Sequence, residues 1–356
     1  MNLIKKLAGK FDGWEFWPSY MFYVPNLPYA IYLALRARDI TFFTAANPAL
    51  KDSGNGTESK FDTLMLLDGK YKPVSLLVPA EPSGRTLDKV LRQLDSLSLG
   101  FPLIAKPDMG FRGILVKKIR NESELAEYLE RFPVKTIIQE FVDYPNECGI
   151  FYSKLPGRDK GNISSLTIKS FLSVTGDGQS TLEKLVRQNK RARHYLKKWI
   201  ENHAERWHQV PEKGEKILLS EVGNHIQGAR FINGNHLIDD KLTAVFDELS
   251  AGLEGWYYGR FDVKYKDMES LKEGKDFTVL EINGIISEPT HIYDPQHITY
   301  VKGLREFRKH WKRLYDIALS NMKNGVPTTP VIPFVRDLMK LKRHINNIKR
   351  LSVKGS

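Results

Sequence analysis

Two stretches of this 356-residue chain set charged side chains among strongly apolar neighbours. In WYYGRFDVKY (256–265), the two-residue alternation of a strand sends Arg260, Asp262 and Lys264 to one face and Phe261, Val263 and Tyr265 to the other. In FTVLEIN (277–283), the same period puts Glu281 and Asn283 on one side, with Leu280 and Ile282 opposite. Charges inside apolar strands are costly unless they are paired or bind a cation. Asp262, Glu281 and Asn283 form an all-oxygen donor set of the kind a hard cation such as Mg²⁺ prefers, with phosphate and water completing the octahedron. A cross-strand ion pair between Arg260 and Glu281 is the other use of these residues, and from the two strands alone the readings stand level.

Lys106 ends the apolar run LIAK and enters Pro107-Asp108-Met109-Gly110-Phe111-Arg112-Gly113. An ammonium followed by a glycine-bearing turn can offer its charge and several backbone N–H groups to phosphate oxygens; a strand-end lysine beside a surface turn is the commoner arrangement. Glu140 and Glu147 flank Phe141, Val142 and the turn that follows. A carboxylate there can accept from ribose hydroxyls and the adjoining backbone can pair with an adenine edge, against the plainer reading of a solvated acidic turn. Lys169 in SLTIKSFL and Arg230 in GNHIQGARF interrupt apolar runs, as candidates for a γ-phosphate or substrate carboxylate, or as solvent-facing strand positions. His291 and His297, with Glu288, follow the second strand closely enough to orient or deprotonate an amine, although loop hydrogen bonding is the simpler role. No Walker A, GxGxxG or HExxH sequence occurs.

Strands must carry these residues, and the intervening sequence supplies helices and turns between them. LIAK and ILVKKI read as strands on either side of the glycine turn. NESELAEYLERF reads as a helix with Asn121 and Glu124 spaced as a capping box, and TIIQEFV (136–142) as the next strand. After Gly176-Asp177-Gly178, Ser180 and Glu183 are placed to cap a long amphipathic helix running to about Ile200. PALKDSGNGTES (48–59) reads as a loop, and no internal repeat is present. The alternation gives an α+β or α/β body.

In their order, these pieces resemble the ATP-grasp superfamily, with the layout of D-alanyl-D-alanine ligase and echoes of cyanophycin and glutathione synthetases. Lys60 in ESKFDTLMLL resembles the first nucleotide lysine, and Lys106 in IAKPDMGFRG the second, with Gly110 and Gly113 in a phosphate-covering loop. Glu140, Phe141, Val142 and Glu147 resemble the hinge that holds adenine and ribose. Arg260 and Asp262 in GRFDVK look like the arginine and first metal carboxylate, and Glu281 and Asn283 in LEIN like the second carboxylate and the asparagine. VTGDGQSTLEKLV resembles a turn-and-helix segment of the synthetases.

The resemblance covers about residues 57–300 and implies an α+β ATP-grasp fold, two subdomains clasping ATP. The implied division is a shortened N-terminal region (1–56), a first subdomain (57–145), a second carrying the metal site (146–301) and a basic helical C-terminal extension (302–356). It implies a ligase joining a carboxylate to an amine through an acyl phosphate, using ATP and two Mg²⁺ ions, with Mn²⁺ able to substitute. Arg260, Lys169 and Arg230 would serve catalysis. A phosphotransferase acting on a hydroxyl, and a non-catalytic ATP-binding regulator at a membrane, are the alternatives. The sequence GIISEPTHIYDP after Asn283 differs from the D-alanine ligase acceptor segment, which points to other carboxylate and amine substrates.

The 54 Lys and Arg against 42 Asp and Glu give a net +12, but fourteen bases against three acids after residue 301 account for +11 of it. The rest is close to electroneutral, which argues against a nucleic-acid groove. Phe334, Leu338, Leu341, Ile345, Ile348 and Leu351 recur at four- and three-residue steps, predicting a basic amphipathic helix. Such a helix can contact an anionic membrane or an acidic partner, or pack on its own domain. The aromatic cluster WEFWPSYMFY (14–23) and the basic start MNLIKKLAGKF keep a membrane surface in view. The single Cys148 excludes an intramolecular disulfide and fits a reducing compartment. With no secretion-type apolar run, the expectation is a cytoplasmic protein, with peripheral membrane contact as an option.

Overall fold

The computed structural model describes residues 13–110, 113–196, 199–200, 203–219, 223 and 228–354. The basic start, Phe111, Arg112 and most of GNHIQG lie outside these. In chain order the strands are β1 (Ser75–Val78), β2 (Leu103–Pro107), β3 (Lys117–Ile119), β4 (Thr136–Glu140), β5 (Asn146–Ser153), β6 (Asn162–Ser170), β7 (Ser173–Thr175), β8 (Lys216–Leu218), β9 (Arg230–Asn233), β10 (Tyr258–Tyr265) and β11 (Phe277–Asn283). The helices are α1 (Tyr20–Tyr23), α2 (Leu27–Ala37), α3 (Lys60–Met65), α4 (Leu87–Ser96), α5 (Glu122–Arg131), α6 (Leu182–Gln188), α7 (Asp240–Ala251), α8 (Met268–Lys272), α9 (Tyr300–Lys323) and α10 (Val331–Lys354). Packing divides the chain into two units. The first takes the chain up to Val74, Val142–Ile168 and Ile232–His344; the second takes Ser75–Phe141, Lys169–Phe231 and the chain from Ile345.

The first unit is built on a sheet of order β11-β10-β5-β6-β9. β10 is antiparallel to both neighbours, with Asp262 opposite Gly149 on β5 and opposite Glu281 on β11. One face buries Cys148, Ile150, Phe261, Val263, Val279 and Ile282 against Leu242, Phe246 and Leu249 of α7. Near the end of the other face, Phe151 and Tyr258 pack on Leu314, Tyr315, Ile317 and Ala318 of α9 and Leu33 of α2. Residues 57–74, expected in the first ATP-binding subdomain, lie here because Leu64, Leu67 and Tyr71 enter the α7-side core. Helix α9, expected to begin an extension, also belongs to this unit, because Leu314, Tyr315, Ile317 and Ala318 pack on the other face of its sheet.

The second unit contains an antiparallel sheet of order β1-β4-β2-β3, covered by α4 and α5. Asn121 caps α5 by accepting from Glu124 N (2.9 Å), while the Glu124 carboxylate accepts from Arg120 N, one residue before the position a capping box uses. The helix expected over 180–200 is much shorter. Thr181, not Ser180, is the N-cap, its Oγ1 accepting from Lys184 N (3.3 Å), and α6 ends at Gln188. Asn189 leaves helical geometry and its side chain accepts from Arg191 N and Ala192 N, a local bond that competes with the helix ladder.

Helix α10 forms where the apolar periodicity predicts it. In the first unit Phe334 meets Phe43 edge-on, and in the second Ile348 is fully buried and Leu351 packs on the core around α5.

Candidate functional site

The alternation of β10 places Arg260, Asp262 and Lys264 together, and Gly149 opposite Asp262 leaves room for them: a Cβ there would stand 3.1 Å from Arg260 Cδ. On β11 simple alternation fails. Asp262 faces Glu281 but Val263 faces Val279, so Leu280 is an extra residue, a bulge, and is half-buried outside the core rather than opposite Glu281 as expected. The bulge resolves a conflict in the sequence. Without it, Phe277, Val279, Glu281 and Asn283 would share one face; with it, Phe277, Val279 and Ile282 are buried and Glu281 and Asn283 join the charged face.

The charges pair differently from the ion pair considered above. Arg260 holds Asp262 on its own strand through two parallel bonds of 3.0 Å, from Nε to Oδ1 and from Nη2 to Oδ2. Glu281 instead takes the ammonium of Lys60, from the first turn of α3. Asn283 Nδ2 donates to Asp262 Oδ2 (3.3 Å), and Arg260 Nη1 reaches the Glu288 carbonyl (3.4 Å). Burial works against the Arg260 charge, but Asp262, Glu288 and Glu147 outweigh it and its pKa is raised. Lys264 lies opposite Glu147 on β5 and donates to the Val142 carbonyl (2.9 Å). Arg260, Asp262, Glu281, Asn283 and Lys60 thus form one cluster, with Glu147 on the same face of the sheet.

Among the described residues no group of three or more His, Cys, Asp and Glu could hold a metal ion. The cluster offers two facing carboxylates and an amide, fewer acidic donors than such a group but all hard oxygens. These residues therefore fit Mg²⁺ completed by phosphate and water, and do not fit a thiophilic metal.

Lys106 lies on β2 of the second unit and donates to Gln139 Oε1 (3.0 Å), a partner on β4 that no motif signalled. Gly110 follows the strand and Gly113 is left-handed at φ 76°. Glu140 ends β4 exposed, and Lys118 Nζ stands 3.7 Å from the Phe141 ring centroid. Lys169 is buried on β6, on the same strand face as Ser165 and Thr167, and Arg230 opens β9, the neighbour of β6.

Sequence reasoning missed the support beneath the cluster. Asn47, wholly buried, donates to the Tyr258 carbonyl (2.8 Å) and accepts from Tyr257 N and Tyr258 N at the start of β10. Ser53 and Gly54 accept from Ile285 N and Ile286 N just beyond β11. Asp52, Ser53 and Gly54 are all left-handed, and Gly54 and Gly284 approach so closely that a Cβ on either would collide with the other's backbone. The expected loop over 48–59 is therefore a brace for both strands, legible only as its Gly, Ser and Asp content.

His291 is not placed as a base: it is buried, with Ser165 Oγ 2.7 Å from Nδ1, and burial holds its imidazole down to about 4. His297 is instead paired with Asp294. Burial also holds His310 down to about 3; its Nε2 has no hydrogen-bond partner and its ring lies 4.5 Å from Phe151. Both rings are neutral in the folded state, whereas the unfolded chain protonates them below about 6.5. Stability complete above pH 6.5 is then lost as pH falls towards 4. Each ring is expected to cost about 2 kcal/mol by pH 5. Tm measured from pH 7 to 5 should fall, and His310→Phe should remove about half of this histidine-linked loss; an unchanged slope would exclude a buried neutral His310.

No family model and no curated protein matches the sequence. Solved structures do. The chain is similar to a D-alanine–D-alanine ligase from Bacillus anthracis (16% identity, TM-score 0.40, covering 74% of this chain and 67% of that one). It is also similar to the VanG D-Ala:D-Ser ligase from Enterococcus faecalis (12%, 0.40, 74% and 61%). A third is a bifunctional glutathione synthetase from Pasteurella multocida (14%, 0.34), of which the match spans 67% of this chain and 36% of that protein.

Proposed function

We propose that the protein is an ATP-dependent ligase that joins a carboxylate to an amine through an acyl phosphate. The observation that carries this reading is the facing pair Asp262 and Glu281, with Asn283 beside them and the cations of Arg260 and Lys60 already on their oxygens. Asp262, Glu281 and Asn283 would hold Mg²⁺, which when bound screens phosphate charge during phosphoryl transfer. Arg260, fixed by two bonds to Asp262, offers a preorganised charge for the oxyanion that forms when an amine attacks an acyl phosphate. Lys60 and Lys106 are the phosphate-binding lysines on this reading, each now resting on a side-chain oxygen that phosphate can replace. Glu140, Phe141, Val142 and Glu147 would bind adenine and ribose. Lys169 and Arg230 are the candidate cations for a substrate carboxylate, in a part of the chain that carries no other assigned cation.

Full-length protein supplied with MgATP, pooled small carboxylates and hydroxylamine is expected to release ADP together with a hydroxamate. ADP with a stable phosphorylated product and no hydroxamate would instead make it a phosphotransferase. ATP binding without any ADP, across pooled amino acids, peptides and polar head groups, would leave a regulator.

A further inference from the structure

Residues 16–35, FWPSYMFYVPNLPYAIYLAL, contain no charged side chain. The backbone is helical through α1, the turn Val24–Asn26 and α2. Tyr20, Val24, Leu27, Ile31 and Leu35 recur at steps of four and three, which places them on one helical face. All five are 51–72% exposed, while Phe22, Asn26 and Leu33 on the opposite side are buried. A helix at a protein surface ordinarily turns polar residues outward; this one is apolar on both faces. Ile40, in the turn past the end of α2, is also exposed, and Thr328 Oγ1 donates to Asp39 Oδ2 (2.6 Å), which brings the start of α10, with exposed Val331 and Ile332, to the same end.

The surroundings are basic. Arg36 and Arg38 are exposed at the end of α2. Helix α9 packs on this segment, Tyr300 Oη donating to the Met21 carbonyl and Arg308 Nε to Asn26 Oδ1 (2.6 Å), and presents Lys302 and Arg305 to solvent, while Lys309 and Lys312 are paired with Glu306 and Asp316. Among the described residues no helix is long and apolar enough to cross a membrane, and Pro18, Pro25 and Pro28 interrupt the segment. Exposed apolar side chains, interface-seeking Tyr20 and Tyr32, and a basic border suit a segment lying in the plane of a lipid surface.

We infer that the face formed by Tyr20, Val24, Leu27, Ile31 and Leu35 docks the protein on an anionic lipid bilayer. This moves the membrane contact from the C-terminal helix, part of whose predicted apolar stripe is spent on packing, to the segment before residue 40.

Vesicles of phosphatidylcholine alone and vesicles enriched in phosphatidylglycerol, mixed with full-length protein, provide the test. Wild type is expected to sediment with the phosphatidylglycerol vesicles. The combined change Leu27→Glu, Ile31→Glu, Leu35→Glu is expected to weaken that binding about tenfold or more. Lys302→Glu with Arg305→Glu is expected to weaken it about thirtyfold or more, reading the basic border separately. The altered side chains are exposed, so melting temperature should be unchanged; were the triple variant to melt early, Leu35→Glu alone carries the test. Equal sedimentation of wild type and variant overturns the inference, as does equal wild-type binding to both vesicle types. A wild-type dimer dissolved by the triple variant, with no vesicle binding, also overturns it in favour of a second copy of the chain.

Discussion

Glu281→Gln is expected to lower ATP turnover by about 10²- to 10³-fold or more while leaving the fold intact. The two parts of this result have separate causes. The amide keeps the shape and an acceptor but loses the charge that binds a metal. The Lys60 ammonium it releases is about a quarter exposed, so water replaces its partner at a cost of about 1 kcal/mol. Asp262→Asn is expected to be as inactive but also less stable. The Arg260 guanidinium rests on both oxygens of that carboxylate in a largely buried setting, and removing one partner of such a pair costs about 3–5 kcal/mol. Adding Arg260→Met to Asp262→Asn should restore most of the lost stability and none of the activity, since the stranded charge is gone but so is the site. Steady-state ADP release and urea unfolding of the four proteins separate these contributions. Full turnover in both Glu281→Gln and Asp262→Asn would end the assignment of a metal to this cluster.

The cluster was legible on β10 because no irregularity interrupts that strand: the period of two read from GRFDVKY is the period it has. On β11 the faces of Glu281 and Asn283 were legible only because they lie beyond the bulge; the same alternation carried back through Leu280 puts that residue in a core it does not enter. The only trace of the extra residue in the sequence is a change of phase, Phe277 and Val279 falling in step with Glu281 and Asn283 although only the first two enter the core. The partner of Glu281 was also beyond the sequence, since Lys60 is 221 residues away and reaches it only because Leu64 and Leu67 anchor α3 in the first unit's core. The capping of α5 was legible from Asn121 and Glu124, whereas α6 stops short through Asn189, whose side chain binds its own backbone in a run that otherwise reads as helical. The exposed apolar face of α2 inverts the rule by which helices are read, so the aromatic content of the segment was visible but its outward direction was not.

Asn47→Ala is expected to destabilise the protein by about 3–5 kcal/mol, a cost near the upper end for a single polar side chain. Its amide donates to the Ser53 and Tyr258 carbonyls and accepts from the Tyr257 and Tyr258 N–H groups, all four bonds within 3.1 Å. Alanine leaves these backbone groups without that partner, and Tyr258 and Ser53 are as buried as Asn47 itself. Asn47→Asp keeps the acceptor and is expected to fare no better, because a carboxylate cannot donate and would turn a buried charge towards two carbonyls. Activity should suffer less than stability. Tyr258 is two residues before Arg260, and β10 keeps its ladder to β5 on one side and β11 on the other. Turnover assayed well below the new unfolding midpoint should therefore stay within about tenfold of wild type, while the urea midpoint falls at an unchanged slope. A loss below about 1 kcal/mol would mean that water or a shifted backbone satisfies the start of β10, and that the brace over residues 47–54 does not fix the strand that carries Arg260 and Asp262.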